Sequence, residues 1–306
     1  VVEGTYGGEI LQRQEIPTYA DRPFAETFPD ICTVIDRAIR RATDLNRRIT
    51  ALSVSIGGPL RILTGEILDP PHLPGWHNIR LVDHLNKIFP ELPAYVEHDG
   101  NAGALAEFYF GSGRENADNA TSPVQARHLI FLTFGTGLGA GIIVNGRILH
   151  GASDTAGEVG HWRLSETGPV GFGKAGSWEG WSSGRGMLGL ARIKNPGRWG
   201  VSSVRGLVDD MLADDPEALE VTSEAGRWLG RGIALLVDAF NPDVVALGAL
   251  SAVLGDRIFV PLREELEREA LPQAVAACRI IPAKLGSSIG DVASLMGAIN
   301  AMNHAH

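Results

Sequence analysis

The sequence predicts an α/β protein of two domains, and three observations support this. Its 306 residues are about twice the length of an ordinary domain. Apolar, β-branched strand segments alternate with amphipathic helical segments along both halves. Each half also opens with a β-hairpin pattern. We therefore expect two α/β domains, with a boundary near the polar segment 111–126.

The first half is predicted to run strand, strand, helix and strand, followed by a further strand and helix. Residues 1–18 form a hairpin around the turn EGTYGGE. Residues 24–45 place apolar side chains three and four apart, which is the pattern of an amphipathic helix. Residues 49–56 form a buried strand that the sequence GGP ends. Residues 95–97 form another strand, and the run AGALAEFYFG continues as a helix.

The second half begins after the polar segment 111–126, which has no apolar period and is predicted to be a loop or linker. Residues 128–134 and 139–144 are predicted strands, and the pair Asn145-Gly146 starts a hairpin turn. The remaining predicted elements are a helix over 223–240, a strand over 244–247, a helix over 259–269, a strand over 279–282 and a helix over 291–302.

Composition and charge exclude several classes of protein. The 36 acidic residues exceed the 27 basic ones, so the net charge of −9 argues against a nucleic-acid partner. The two cysteines form no CxxC pair, which excludes a disulfide scaffold and a cysteine-rich zinc site and favours a reducing compartment. The longest uncharged apolar stretch, residues 129–144, contains four glycines and is too short to cross a bilayer. With no signal-peptide pattern either, we expect a cytoplasmic protein without a membrane partner.

Glycine is abundant, with 38 residues, and the run FGTGLGA at 134–140 is its most informative cluster. A strand that ends in closely spaced glycines leaves backbone N–H groups free to bind an anion such as phosphate. The run is neither a Walker A sequence nor a dinucleotide fingerprint, because no Gly-Lys-Ser/Thr follows and a strand rather than a helix comes next. The alternative is a plain β-hairpin with a glycine-rich turn.

Two further clusters contain groups that could carry out chemistry. Asp99 lies between a strand and a helix, where it is either a helix N-cap or a general base that accepts a proton from a substrate hydroxyl. Glu158 and His161 in AGEVGH and Glu179 in GSWE offer hydrogen-bonding partners for vicinal hydroxyls. The alternatives for this second cluster are a polar surface loop and a set of metal ligands.

Several segments, in order, resemble landmarks of the ROK family of sugar kinases and sugar-responsive repressors. They are SVSIGGPL, PPHLPGW, VEHDGNAGALAE, FGTGLGAGII, AGEVGH, GSWEGWSSG, NPDVVALG and IGDVASLMGA. The resemblance implies a two-domain fold of the actin-like, ribonuclease H-like ATPase type, with sugar and nucleotide in the cleft. It places residues 1–115 and a returning C-terminal helix at 289–303 in the N-terminal α/β domain, and residues 116–288 in the larger C-terminal α/β domain.

The resemblance also assigns individual residues. Asp99 matches the catalytic base. The positions that match sugar contacts are Gly58, His98, Asn101, Glu158, His161 and Glu179. The positions that match nucleotide contacts are Gly135, Thr136 and Gly137 of a phosphate loop and Gly248 near the adenosine. ATP and Mg²⁺ are the implied cofactors.

The sequence departs from the family pattern at four places. The family's opening strand with its Asp-x-Gly-Gly-Thr loop has no counterpart here, and we expect it to lie outside this sequence rather than to be missing from the protein. His98 stands where relatives often have Asn, and Gly248 is the single remaining member of a usual glycine pair. The cysteine positions of the family's zinc loop, after His161, hold Gly171, Gly173 and Ser177. We therefore expect no metal site and no structural zinc.

The function that the resemblance implies is ATP-dependent phosphorylation of a hexose primary hydroxyl, with glucose as the first candidate. The alternatives are a sugar-sensing repressor, a non-catalytic sugar-binding protein and a kinase for an N-acylated amino sugar. Three further questions stay open: whether polyphosphate replaces ATP, whether the protein forms a homodimer, and whether a phosphate loop or DNA-binding domain precedes residue 1.

Overall fold

The computed structural model describes residues 1–304 apart from residues 18, 20, 71, 72 and 116–123. The middle of the predicted linker therefore lies outside the described residues. The strands are β1 (Val2–Gly4), β2 (Ile10–Arg13), β3 (Leu52–Ile56), β4 (Leu60–Arg61), β5 (Glu66–Ile67), β6 (Ile79–Arg80), β7 (Ala94–His98), β8 (Arg114–Glu115), β9 (Val124–Gln125), β10 (Leu129–Leu132), β11 (Ala140–Val144), β12 (Arg147–Ile148), β13 (Val170–Gly171), β14 (Lys174–Ala175), β15 (Val244–Leu247) and β16 (Arg279–Pro282). The helices are α1 (Phe24–Asp44), α2 (Leu81–Ile88), α3 (Asp99–Phe110), α4 (Trp178–Ser182), α5 (Gly184–Lys194), α6 (Pro196–Trp199), α7 (Val204–Leu212), α8 (Pro216–Phe240), α9 (Ala249–Leu254), α10 (Asp256–Glu269), α11 (Pro272–Ala277) and α12 (Ile289–Asn303).

The chain divides into two compact units. Unit 1 comprises Val1–Ala106, His150–Ala156 and Ser288–His306, and unit 2 comprises Glu107–Leu149 and Gly157–Ser287. The division falls inside α3, whereas we predicted a domain boundary between residues 115 and 116. A helix can continue through such a division because its backbone hydrogen bonds are satisfied internally.

In unit 1 the parallel pair of β3 and β7 positions the site residues. The register runs from Leu52 opposite Ala94 to Ile56 opposite His98, so both strands end at the same edge. Helix α1 contributes Phe24 and Phe28 to the core of this unit, where their rings stack with centroids 4.7 Å apart. Loops that follow β3 and β7 therefore start side by side, which is where open α/β sheets bind ligands.

Unit 1 also contains a cavity of about 630 Å³. Its walls come from the β1–β2 hairpin, α1, β3 and α12. In the described part of the chain β1 pairs only with β2 and β3 only with β7, so each of these two strands has one unpaired edge. Such an edge is a surface on which a further strand can pair.

Unit 2 is built on a five-stranded sheet in the order β12-β11-β10-β15-β16. Strands β10, β15 and β16 are parallel, while β11 and β12 run antiparallel to their neighbours. Helices α8 and α10 pack against each other beside this sheet and fill the core with apolar side chains. The indole of Trp178 is wholly buried against α8, which is possible because residue 232 is a glycine.

Strands β1, β2, β3, β7, β10, β11, β12, β15 and β16 and helices α1, α3, α10 and α12 agree with the sequence prediction. No element was predicted for residues 57–93, where β4, β5, β6 and α2 lie, and the segment before α8 also differs from the prediction. Helix α8 begins at Pro216 rather than at residue 223, because the side chain of Asp215 accepts a hydrogen bond from Ala218 N and caps the helix. The sequence analysis assigned no element to α5, α6 and α7. None of the described helices combines the length and apolar composition required to cross a membrane.

Candidate active site

Asp99 is the first residue of α3 and directly follows β7. Its side chain is 59% exposed. The Oδ1 atom accepts a hydrogen bond of 2.7 Å from Gly100 N and lies 3.3 Å from His98 Nδ1. The Oδ2 atom faces the loop after β3, where a Cβ on Gly57 would lie 3.6 Å away. One carboxylate oxygen is thus held by the start of the helix while the other points toward the neighbouring strand end.

Gly58 and His98 lie against each other at the paired ends of β3 and β7. A Cβ added to Gly58 would lie 2.8 Å from His98 Cδ2, closer than carbon atoms normally approach. The absence of a side chain at residue 58 therefore lets the imidazole lie across this loop. His98 occupies the position where the family pattern has Asn, and the glycine makes room for its larger ring.

A buried carboxylate lies beneath these residues. Glu97 is 3% exposed, and its Oε1 accepts hydrogen bonds of 3.0 Å from both His98 N and Asn101 Nδ2. His150 Nε2 lies 3.2 Å from Oε1 and 3.0 Å from Oε2. The hydrogen bond to Glu97 raises the pKa of His150 above its usual value, although partial burial opposes the shift.

No role was predicted from the sequence for Glu97 or His150. They are 53 residues apart, so no spacing rule connects them. The available local signal was an acidic residue inside a predicted strand, since a carboxylate that becomes buried in a sheet needs partners. Asn101, a predicted sugar contact, is buried beside them, and its Oδ1 has no hydrogen-bond partner in the described structure.

In unit 2 the predicted phosphate loop connects β10 to β11, which form an antiparallel pair. The loop is therefore the glycine-rich turn of a β-hairpin, and the two interpretations of this segment, a hairpin turn and a phosphate loop, are compatible. Thr133 Oγ1 accepts a hydrogen bond from Gly139 N at 2.8 Å, which fixes the base of the loop. Among the described residues the N–H groups of Thr136 and Gly137 donate no hydrogen bond. This donor set fits a phosphate group, because exposed backbone N–H groups on a tight turn bind anions.

Glu179 lies against the same loop. Its Oε2 accepts a hydrogen bond of 3.0 Å from Leu138 N, and a Cβ on Gly137 would lie 2.9 Å from it. Burial raises the pKa of Glu179, and the charge of Glu158 adds to this increase, while the Leu138 bond and the charges of Arg185 and His161 oppose it. Glu158, His161 and Glu179 are thus close enough to interact electrostatically, and hydroxyl binding by this cluster stays a prediction.

Gly248 follows β15 and precedes α9. Its N–H donates to Leu132 O at 2.8 Å, and the next turn is held by a bond from Leu250 N to Phe134 O. The predicted adenosine position therefore packs on the strand that leads into the predicted phosphate loop. The predicted site residues fall into two groups, with Gly58, His98, Asp99 and Asn101 in unit 1 and the remainder in unit 2.

The residues of the loop after His161 do not fit the structural zinc that the family pattern implies. The imidazole of His161 stacks on Phe172, with ring centroids 3.9 Å apart. Gly171 has no side chain, and the hydroxyl of Ser177 is already bonded to Gly171 N, Gly171 O and Gly180 N. Structural zinc needs four strong ligands. No group of three or more His, Cys, Asp or Glu side chains suited to a metal occurs among the described residues.

The comparisons with known proteins agree with this fold. The class that they define is the actin-like, ribonuclease H-like sugar kinase fold. A solved ROK family glucokinase from Streptomyces griseus, in complex with glucose and AMPPNP, superposes with a TM-score of 0.71 at 27% identity and covers 95% of this chain and 92% of that chain. The sequence model of the ROK family matches residues 4–304, so the chain belongs to the ROK family.

The curated relatives include both enzymes and regulators. The glucokinase of Halalkalibacterium halodurans is 29% identical over 304 residues, which cover 94% of this chain and 88% of that protein. The xylose repressor of Caldicellulosiruptor bescii is 28% identical over 287 residues, which cover 88% of this chain and 67% of that protein. The predicted family and fold class are confirmed, while family membership alone allows both a kinase and a regulator.

Proposed function

We propose that this chain transfers the terminal phosphoryl group of ATP to the primary hydroxyl of a hexose, with glucose as the first candidate. The observation that supports this most directly is the exposed Asp99 carboxylate at the shared end of two parallel strands. A general base must reach a substrate hydroxyl, and a buried structural carboxylate would not. The likeness to glucokinases at 29% and 27% identity supports the same activity.

Asp99 acts as the base in this proposal. Gly100 N holds Oδ1 at 2.7 Å and fixes the direction of the carboxylate. The Oδ2 atom then accepts the proton of the attacking hydroxyl. The bond from the sugar oxygen to the γ-phosphorus forms, and the bond from that phosphorus to the β–γ bridging oxygen breaks, so that ADP leaves. Phosphoryl transfer depends mainly on such alignment and on charge stabilisation.

Further groups of this proposal belong to unit 2 and bind the sugar and the phosphates. Glu158, His161 and Glu179 accept hydrogen bonds from sugar hydroxyls or donate hydrogen bonds to them. A sugar that lacks one of these hydroxyls leaves a side chain unpaired, so the site discriminates against that sugar. The N–H groups of Thr136 and Gly137 bind phosphate oxygens. ATP, as its Mg²⁺ complex, supplies the phosphoryl group and a divalent charge that offsets the phosphates.

A coupled assay with ATP, Mg²⁺ and a panel of hexoses tests this function. Asp99→Asn keeps the size and removes the base, so kcat should fall by roughly 10²- to 10⁴-fold while the sugar Kd changes little. Asp83→Asn is the matched control, because Asp83 is similarly exposed, at 54%, and only pairs with Arg80 on the surface. Near-normal turnover of the Asp99 variant would remove Asp99 from catalysis.

A sugar-sensing regulator is the second candidate, and the xylose repressor relative is the observation that favours it. In that case the chain binds a sugar in calorimetry and transfers no phosphoryl group to it. The same panel, extended with N-acetylated amino sugars as acceptors and polyphosphate as donor, separates the two candidates.

A further inference from the structure

Asp99 is flanked by two groups that a single buried side chain holds in place. The preceding residue, His98, donates its backbone N–H to Glu97, and Asn101, two residues after Asp99, donates its side-chain amide to the same Oε1 atom. Both distances are 3.0 Å. The turn that carries Asp99 is therefore bonded to the carboxylate of Glu97 on both sides.

This carboxylate is stable in its position only with a further partner. Glu97 is 3% exposed, and an ionised carboxylate is costly to bury unless it is paired and hydrogen-bonded. His150 Nε2 contacts both of its oxygens, at 3.2 Å and 3.0 Å. Since an ionised carboxylate only accepts hydrogen bonds, Nε2 must carry a proton and donate it. His150 lies in the segment His150–Ala156, which belongs to the same unit.

We propose that Glu97 and His150 are positioning residues for Asp99, because the pair fixes the backbone at His98 and the side chain of Asn101 on either side of the catalytic base. This inference rests on the proposed phosphotransfer function. Neither Glu97 nor His150 touches the substrate in it. His150 pairs with Glu97, Glu97 holds the turn, and the turn directs the carboxylate of Asp99.

The charges around His150 make the proposal testable by pH. Glu97 and Asp154 are the charged groups that act on His150, and both raise its pKa. Asp154 is itself held, since its Oδ2 accepts a hydrogen bond from Ile62 N at 3.0 Å. Protonated His150 therefore strengthens the pair, while the neutral ring retains only a hydrogen bond between Nε2–H and the carboxylate.

Glu97→Gln reverses this preference with almost no change in shape. To keep the bonds from His98 N and Asn101 Nδ2, the amide oxygen must replace Oε1, so the new NH₂ group faces His150 Nε2. The NH₂ group thus replaces Oε2, the nearer of the two oxygens to Nε2, and meets a second donor when the ring is protonated. A neutral ring with its proton on Nδ1 can accept the bond instead. The variant should be most impaired at low pH and recover as pH rises.

The decisive experiment measures kcat and the sugar KM from about pH 5.5 to 8.5, the range over which histidine titrates. We expect the kcat of the wild type divided by the kcat of Glu97→Gln to grow as the pH falls below about 6.5. His150→Phe, which donates no hydrogen bond, should lower kcat by roughly 10- to 100-fold with a smaller change in sugar Kd. His150→Gln, which can still donate, should recover part of that loss.

His77→Gln is the matched control. His77 Nδ1 lies 2.8 Å from Asp69 Oδ1, but both side chains are largely exposed, so this histidine–carboxylate pair should leave kcat unchanged. The imidazole resonances of His150 give a second readout that needs no activity. Its pKa should lie above about 6.5 in the wild type and below it in Glu97→Gln.

The outcomes separate the inference from the proposed function. A wild-type chain that phosphorylates no sugar of the panel refutes the proposed function. An active wild type whose Glu97 and His150 variants retain the wild-type kcat and pH profile refutes the positioning role alone. A pKa of His150 that does not respond to Glu97→Gln refutes the pairing itself, even if His150→Phe fails to fold.

Discussion

Gly232→Ala should test how the wholly buried Trp178 is held beside Glu179 of the proposed sugar-binding cluster. Trp178 begins the helix that carries Glu179, and it rests on α8 at Gly232. A Cβ at residue 232 would lie 2.0 Å from Trp178 Cε2, 2.3 Å from Cζ2 and 2.4 Å from Cδ2. Carbon atoms in contact are normally about 3.5–4.0 Å apart. The indole must therefore move by more than about 1 Å, in a core where it is 0% exposed.

The expected loss of stability follows from two opposing effects. Overpacking of a filled core costs about 1–3 kcal/mol. Because the added Cβ would lie more than about 1 Å too close to the indole, the cost should be near the upper end of this range. Alanine in a helix interior stabilises the helix by about 1 kcal/mol relative to glycine. The net free energy of unfolding should fall by about 2 kcal/mol. For a unit of this size that lowers Tm by roughly 4–8 °C.

Thermal unfolding followed by calorimetry measures this, with Gly189→Ala as the control. Gly189 lies inside α5 of the same unit, and its added Cβ would meet only Pro169 Cβ at 3.9 Å. The control should be unchanged or more stable by up to about 1 kcal/mol. Because Trp178 adjoins Glu179, the sugar Kd of Gly232→Ala should also rise. Equal stability of Gly232→Ala and Gly189→Ala would contradict close packing of Trp178 on Gly232.

Three further predictions concern charge and metal. The pKa of His150 is raised in the folded state, so its pairing with Glu97 should stabilise the protein fully below about pH 6.5, and this stabilisation should be lost as the pH rises through the folded-state pKa. The melting temperatures of wild type and His150→Gln should therefore converge at high pH. A difference that stays constant with pH would contradict this. Burial raises the pKa of Glu179, and the amide oxygen of Glu179→Gln can still accept the hydrogen bond from Leu138 N. Glu179→Gln should therefore have a higher Tm than wild type at pH 7 and bind sugar more weakly. A lower Tm would contradict the destabilising effect of the buried carboxylate. Protein purified without chelator should contain well under one zinc per chain and keep its Tm in EDTA, because the loop after His161 lacks a set of zinc ligands. Stoichiometric zinc would contradict this and would show a ligand set elsewhere.

The sequence predicted the elements whose side chains follow one period or lie in one apolar run. Strand β15 and strand β16 have the predicted bounds, because short β-branched runs between turns have few other interpretations. Helix α5 was not predicted because glycines at 184, 186 and 189 interrupt its apolar pattern and disfavour a helix. These glycines are needed by tertiary contacts that a single sequence does not reveal, such as the approach of Gly186 to the backbone of Gly180.

The site was predictable where a residue stands beside its partners in the sequence. Asp99 was identified from its place between a strand and a helix, and the structure puts it there. The bond from Leu138 N to Glu179 spans 41 residues, and the pair of Glu97 and His150 spans 53. Contacts of that range depend on how the strands are ordered in the fold, so local patterns carry no signal for them.

The hydroxyl of Ser177 gives the loop after His161 a chemical inertness that a cluster of thiolates would lack. Thiolate ligands are lost when they are oxidised or alkylated, whereas the hydroxyl that clasps Gly171 undergoes neither reaction under the same conditions. The two cysteines of the chain lie elsewhere, and burial raises the pKa of Cys32 and raises that of Cys278 to about 12. Both sulfurs therefore remain protonated near neutral pH. An oxidative burst that would dismantle a cysteine-held loop should leave this one intact.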